Sequence, residues 1–235
     1  MIKHLEVKLL KFAAIDIGTN AIRLLFTNVI ENKNAAIFKK SSIIRVPIRL
    51  GGDVFTSGFI GDEKKEKLID AMIAFKHLMK VHEVKEYRAC ATSAMREAGN
   101  GLEMVRLIKE RTDLDIEIID GKTEAEIIYN NRIVDFLDNS FPYLYVDIGG
   151  GSTEITLFAN SLALVSQSFN IGTIRLLNEL VKPKEFNHLK AWLKEIKESY
   201  PNLKVIGSGG NINKLLKLSR KKESTALPIK AQKDV

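Results

Sequence analysis

Val146-Asp147-Ile148-Gly149-Gly150-Gly151-Ser152-Thr153-Glu154 is the stretch on which the reading of this chain turns. An apolar run ends in an aspartate, and three glycines, two hydroxyl residues and a glutamate follow. Consecutive glycines after a strand cost backbone entropy, so they need a geometric reason. Close approach of backbone N–H groups to a phosphate is one such reason, with Asp147 placed for a hydrated Mg²⁺. A plain flexible hairpin is the other, because Thr153 to Phe158 alternates well enough to be a strand. The same order of residues occurs earlier, in Ala14-Ile15-Asp16-Ile17-Gly18-Thr19-Asn20. A third glycine cluster, Val205-Ile206-Gly207-Ser208-Gly209-Gly210-Asn211, lies further along. Neither a Walker A loop nor a Gly-x-Gly-x-x-Gly turn is present.

A chain of 235 residues forms one large domain or two small ones. Its 45% hydrophobic and 28% charged residues are ordinary for a globular protein. The longest apolar runs fall short of a membrane span, so no membrane partner is expected. The start, Met1 to Lys8, interleaves charge with apolar residues and lacks the apolar core of a secretion signal. The single cysteine, Cys90, excludes an internal disulfide and fits a reducing compartment, with cytoplasm the default. The formal net charge of +7 suits an anionic partner, but the lysines are spread along helical segments such as Lys64-Lys65-Glu66-Lys67. There is no basic stripe with interleaved aromatics, so nucleic acid is not expected.

The periodicity gives two similar halves. Strands are expected at 11–17, 22–31 and 35–46, with the polar turn Asn32-Lys33-Asn34 between the last two. Gly51-Gly52-Asp53 and Ser57-Gly58 read as a loop. A helix over 62–80 carries Leu68, Met72, Phe75 and Met79 on one face. A short strand over 87–91 leads into a polar turn at Thr92-Ser93-Ala94-Met95-Arg96. Asn100 is placed to cap a helix, with Glu103 three residues on. After a strand at 116–119, Thr123-Glu124-Ala125-Glu126 has the capping-box pattern of a helix running to about Asp138. Asn139-Ser140-Phe141-Pro142 breaks the pattern, which sets the expected domains at 1–138 and 139–235. The second half repeats strand, glycine turn, strand (153–158) and strand (162–169). A helix from Gly172, a charged helix after Pro183, a strand at 203–207 and a helix near Asn211 complete it.

Several side chains carry the expected chemistry. Arginines near phosphate neutralise oxygen charge with bidentate hydrogen bonds, so Arg23 and Arg96 are candidates, although each also reads as a surface arginine. Glu124 is the candidate general base for activating a water in phosphoryl transfer. An acidic residue in a helix's first turn is also favoured by the dipole alone, so both readings stand at this point. His4, His77, His82 and His188 show no metal-ligand spacing. Cys90 lies in an apolar strand and reads as core.

Together these motifs resemble the exopolyphosphatase and guanosine-pentaphosphate phosphohydrolase (Ppx/GppA) family, a branch of the actin-like ATPase superfamily. The resemblance rests on 14–20, Ala91-Thr92-Ser93-Ala94-Met95-Arg96-Glu97-Ala98, Gly121 through Glu124-Ala125, 147–154, Gly172-Thr173-Ile174-Arg175-Leu176 and Gly207-Ser208-Gly209-Gly210. It implies an α/β fold of two actin-like (ribonuclease H-like) domains, with mixed sheets flanked by helices and a cleft between them for the substrate. It implies Mg²⁺-dependent hydrolysis of the terminal phosphoanhydride of inorganic polyphosphate or of pppGpp. Carried over by position, Glu124 is the base, and Asp16, Asp147 and Glu154 stand on the metal side. Gly18, Thr19, Asn20, Arg23, Arg96, Gly149, Gly150, Gly151, Ser152 and Gly209 hold phosphate. A homodimer is common in that family.

Three departures qualify the resemblance. Thr123 and Glu126 stand where the family often has a glutamate and an arginine, and Ala21 replaces a common serine. The second domain is expected to lack its final strand and helix, hence to be incomplete. An actin-like nucleotide-binding ATPase or kinase and a non-catalytic polyphosphate or alarmone binder are the remaining alternatives.

Overall fold

The computed structural model describes residues 8–32, 35–130, 140–160 and 162–219. They form two compact units, dividing after Ile119. The first contains strands β1 (Lys8–Ile17), β2 (Ile22–Asn32) and β3 (Ala35–Val46), then helices α1 (Leu50–Ser57) and α2 (Asp62–Val81). Strand β4 (Glu86–Ala91), helices α3 (Ser93–Glu97) and α4 (Gly101–Thr112) and strand β5 (Glu117–Ile118) follow. The sheet order is β3-β2-β1-β4-β5. β1, β2 and β3 form an antiparallel meander, and β4 and β5 add in parallel.

The period of two in each strand decides which face is buried. Ala13, Ile15 and Ile17 of β1, with Ile22, Leu24 and Phe26 of β2, are buried in one core. Leu68, Met72, Phe75 and Met79 of α2 join them, as the 4-3-4 spacing requires. Asp16, Arg23 and Cys90, out of phase with that core, share the opposite face. Cys90 is therefore half-buried beside Asp16, and the core is filled instead by its neighbours Ala89 and Ala91. That corrects the placement expected for this cysteine.

The second unit opens with α5 (Gly121–Asn130) and continues with β6 (Tyr143–Ile148), β7 (Thr153–Ala159) and β8 (Leu162–Phe169). Then come α6 (Thr173–Leu177), α7 (Pro183–Ser199), β9 (Lys204–Ser208) and α8 (Gly210–Leu218). The sheet order is β8-β7-β6-β9, antiparallel except for the parallel β6–β9 pair. It thus repeats the β3-β2-β1-β4 part of the first sheet strand for strand. Every residue of β7 is buried, because both faces of this strand are covered. Ile155 and Leu157 face Ile196, Trp192 and Leu193 of α7. On the other face α5 packs against β8 and β7. The division expected after residue 138 falls on residues outside the described ones, and so does the end of the helix expected to reach Asp138. As described, α5 travels with the second unit because it lies on that unit's sheet.

Four local expectations are corrected. Residues 51–57 are helix rather than loop. Gly51 belongs there because a Cβ would come within 2.2 Å of Thr19 Cγ2, so packing overrides the low helix propensity of two glycines. Asn100 stands at the start of α4 but its side chain does not cap it. Instead it binds Ile60, accepting from the N–H and donating to the C=O, both at 2.9 Å. At α5 the cap is Asp120, whose Oδ1 accepts the Thr123 N–H at 2.7 Å, not the Thr123–Glu126 box. Glu124 accordingly is the fourth residue of the helix, at the end of its first turn, rather than its first. The turn at 92–96 is likewise closed into the short helix α3.

Candidate active site

In each unit the site begins where parallel strands end, the usual place for a ligand in an α/β sheet. The loops Gly18–Ala21 and Gly149–Ser152 close in the same way. The Gly18 N–H donates to the Ala21 carbonyl at 3.2 Å, and the Gly149 N–H to the Ser152 carbonyl at 2.9 Å. In both, the start of a following helix takes the loop carbonyls. Arg49 and Gly51 N–H donate to Asn20 and Thr19 carbonyls at 3.0 and 2.9 Å. Thr173 and Ile174 N–H donate to Gly149 and Gly150 carbonyls at 3.1 and 2.8 Å. Arg175 Nε donates to the Gly151 carbonyl at 2.7 Å. With the carbonyls held, the N–H groups of Thr19, Asn20, Gly150 and Gly151 have no protein acceptor among the described residues. A run of such donors is an anion cradle.

The glycines have distinct reasons. A Cβ at Gly172 would meet the Gly150 carbonyl oxygen at 2.3 Å, so α6 can reach the loop only with glycine there. Gly209 has φ +93°, and its Cβ would lie 2.8 Å from Asp147 Oδ1. It brings the end of β9 against that carboxylate, and Asn211 Nδ2 donates to the Ile148 carbonyl at 3.0 Å.

Register places the charged side chains in rows. Across the first sheet, one rung runs Arg45, Arg23, Asp16, Cys90, Glu117. Arg23 Nη1 donates to Asp16 Oδ2 at 2.5 Å, so these two expected ligands are turned toward each other. Thr19 is buried, and its hydroxyl lies 2.7 Å from that of Ser93 in α3. Arg96 of the same helix is half-buried and donates to the Ile119 carbonyl at 2.7 Å. Burial pushes the Cys90 thiol above its ordinary value, with the neighbouring Arg88 partly opposing.

The equivalent rung of the second sheet runs Ser168, Glu154, Asp147, Ser208. Glu154 is 4% exposed and accepts a hydrogen bond from Ser168 Oγ at 2.9 Å. Gly121, the first residue of α5, lies against the same Ser168 side chain: a Cβ there would be 2.6 Å from Ser168 Cβ. The helix that carries Glu124 therefore covers the face on which Asp147 and Glu154 stand. Ser152 is buried at the end of the loop. Sequence reading had Glu124 in a different domain from Asp147 and Glu154, and the structure gathers these three in one unit, with Asp16, the other expected metal-side carboxylate, in the first unit. It had no signal for Ser168, whose place beside Glu154 depends on register alone.

Two carboxylates opposite each other on one rung fit a Mg²⁺ ion, which keeps several waters and takes few protein ligands. No group of three or more His, Cys, Asp and Glu converges to hold a metal among the described residues, so oxygens of water or substrate would complete the shell. No helix among the described residues is long and apolar enough to cross a membrane.

A pair of duplicated α/β units, each with an anion-cradling loop at its strand ends and one with a carboxylate rung beside it, defines a phosphate-handling protein. The chain belongs to the Ppx/GppA phosphatase family, whose model matches residues 29–233. It is 32% identical over 232 residues to a bifunctional 3-dehydroquinate synthase/phosphatase of Fusobacterium nucleatum, covering 90% of this chain and 34% of that protein. It is 30% identical over 177 residues to exopolyphosphatase 2 of Mycobacterium tuberculosis, covering 72% of this chain and 54% of that protein. The chain thus spans between a third and about half of these relatives' lengths. Among solved structures, an exopolyphosphatase from Cytophaga hutchinsonii superposes with a TM-score of 0.78 at 26% identity, covering 92% of this chain and 73% of that one. A family member from Aquifex aeolicus gives 0.71 at 24% identity, covering 93% and 72%, which speaks to the fold. The expected fold, two α/β units of mixed sheets flanked by helices, is the one found.

Proposed function

We propose that this chain hydrolyses the terminal phosphoanhydride of inorganic polyphosphate. The observation that carries the reading is that α5, the helix bearing Glu124, packs on the sheet face that carries Asp147 and Glu154, beside a loop with unfilled N–H donors. Glu124 orients the attacking water and takes its proton, the part of a general base. The N–H groups of Gly150 and Gly151 bind the phosphoryl oxygens, and those of Thr19 and Asn20 offer a phosphate cradle of their own in the first unit. Asp147 and Glu154 would hold Mg²⁺, which would supply charge neutralisation for the leaving phosphate. Asp16 fixes the Arg23 guanidinium, and Arg96 fixes the end of β5. The names of the Mycobacterium and Cytophaga proteins support polyphosphate as the substrate class. The guanosine pentaphosphate pppGpp presents the same terminal phosphoanhydride and is the comparison substrate.

The test is phosphate release from long-chain polyphosphate and from pppGpp, with Mg²⁺, for the full chain and Glu124→Gln. General acid–base catalysis is worth about 10²–10⁴-fold, so the variant should lose that much. Turnover of pppGpp alone would reassign the substrate. Binding of both polyanions without turnover, unchanged in Glu124→Gln, would make the chain a binding module.

A further inference from the structure

Five non-glycine residues have positive φ among the described residues: Arg49, Glu83, Asp113, Asn160 and Glu179. Four stand where a left-handed residue is ordinary. Asp113 ends α4, Glu83 and Glu179 follow α2 and α6, and Asn160 is at the tip between β7 and β8. Arg49 is different. It stands at the start of α1 with φ 62° and ψ 47°, whereas the residues before α2, α6 and α7 are extended, as helix starts usually are. Its neighbours Ile48 and Leu50 are both buried, so the chain is held on either side of it. Its N–H donates to the Asn20 carbonyl at 3.0 Å, and its own carbonyl accepts from Lys64 Nζ at 2.8 Å.

Glycine or asparagine would take this conformation with less strain, so the arginine side chain has to be accounted for by something other than the backbone. The other arginines near the two loops have partners: Arg23 on Asp16, Arg96 on the Ile119 carbonyl and Arg175 on the Gly151 carbonyl. The Arg49 side chain is exposed, and its guanidinium meets no hydrogen-bond or ion-pair partner among the described residues. It is rooted on the loop whose Thr19 and Asn20 N–H groups are also unfilled. We infer that Arg49 is a phosphate-binding residue, its guanidinium taking oxygens of the polyphosphate chain beside the Gly18–Ala21 loop. This rests on the polyphosphate reading above. A planar fork of donors suits adjacent phosphate oxygens better than an ammonium does.

The test compares wild type with Arg49→Gly, Arg49→Lys and Arg49→Gln in the full chain. Tripolyphosphate binding is followed by titration calorimetry, phosphate release by KM and kcat, and folding by thermal melting. Arg49→Gly should melt at or above the wild-type temperature, because glycine accepts the positive φ, yet bind tripolyphosphate at least tenfold more weakly. Its KM should rise by a similar factor, with kcat changed much less, and Arg49→Lys should fall between. Wild-type affinity in a folded Arg49→Gly protein overturns the inference. Should Arg49→Gly melt early, equal affinities of Arg49→Lys and Arg49→Gln overturn it instead. A wild type that binds tripolyphosphate through Arg49 but releases no phosphate would sink the hydrolase and leave this residue's role standing. Wild-type protein that binds no tripolyphosphate would overturn both.

Discussion

Asp147 and Glu154 stand opposite one another on adjacent antiparallel strands, two carboxylates on a single rung. Like charges so placed repel, whereas at the matching rung of the first sheet Asp16 faces Arg23. A divalent cation relieves that repulsion.

Asp147→Asn should therefore stabilise the metal-free protein by up to about 1 kcal/mol, the scale of a cross-strand charge pair. Millimolar Mg²⁺ should raise the melting temperature of wild type, and the variant should lose that rise. Melting curves with and without Mg²⁺ read this without any turnover. A variant that still gains the wild-type increment would show that the cation sits elsewhere.

Gly172→Ala places a methyl group 2.3 Å from the Gly150 carbonyl oxygen, a backbone atom that cannot step aside alone. Overpacking of this kind costs about 1–3 kcal/mol. The loop should move with it, so phosphate release should fall further than stability does. Equilibrium unfolding and the release assay on the same sample separate the two effects, and an unchanged variant would contradict the loop geometry.

Asn100 gives a sharper contrast. If its role were to cap α4, serine would serve nearly as well. The structure has both ends of its amide on Ile60, which serine cannot reproduce. Asn100→Ser should then cost about 1–3 kcal/mol, as for groups left unsatisfied by the loss of a partner. Denaturant titration measures it, and a neutral result would restore the cap.

Cys90 has its thiol raised above the ordinary value, chiefly by burial. A raised folded-state value favours the protonated form, so its contribution to stability is complete below the unfolded value. That contribution is lost as pH climbs through the folded one. Alkylation by iodoacetamide should be much slower than for a free thiol at about pH 8.5, near the ordinary cysteine value, and accelerate only above it. Rates matching a small free thiol across that range would contradict the burial of this sulfur.

The strands and both glycine loops were legible because period-two alternation and consecutive glycines are local signals. The α2 stripe was legible for the same reason at a period near 3.6. What escaped was set by distant partners. The helix at Gly51 exists because of Thr19, and the role of Asn100 is fixed by Ile60. The true cap of α5 is Asp120, one residue before the helix, and a box pattern further on drew attention from it. The placing of the Glu124 helix over the face of Asp147 and Glu154 follows from α5 packing on β8, and no spacing in the sequence encodes that.

Both glycine loops have their carbonyl oxygens tied inward to the first N–H groups of a following helix. Their shape is settled when the chain folds and not when a ligand arrives. Fixing a backbone residue costs about 1–2 kcal/mol, and a loop left loose would meet that cost anew at every encounter with a polyanion. Here it falls on the folding equilibrium instead. On the proposed reading, a phosphate would enter and leave a receptacle that need not reorganise, so affinity would carry little entropic penalty.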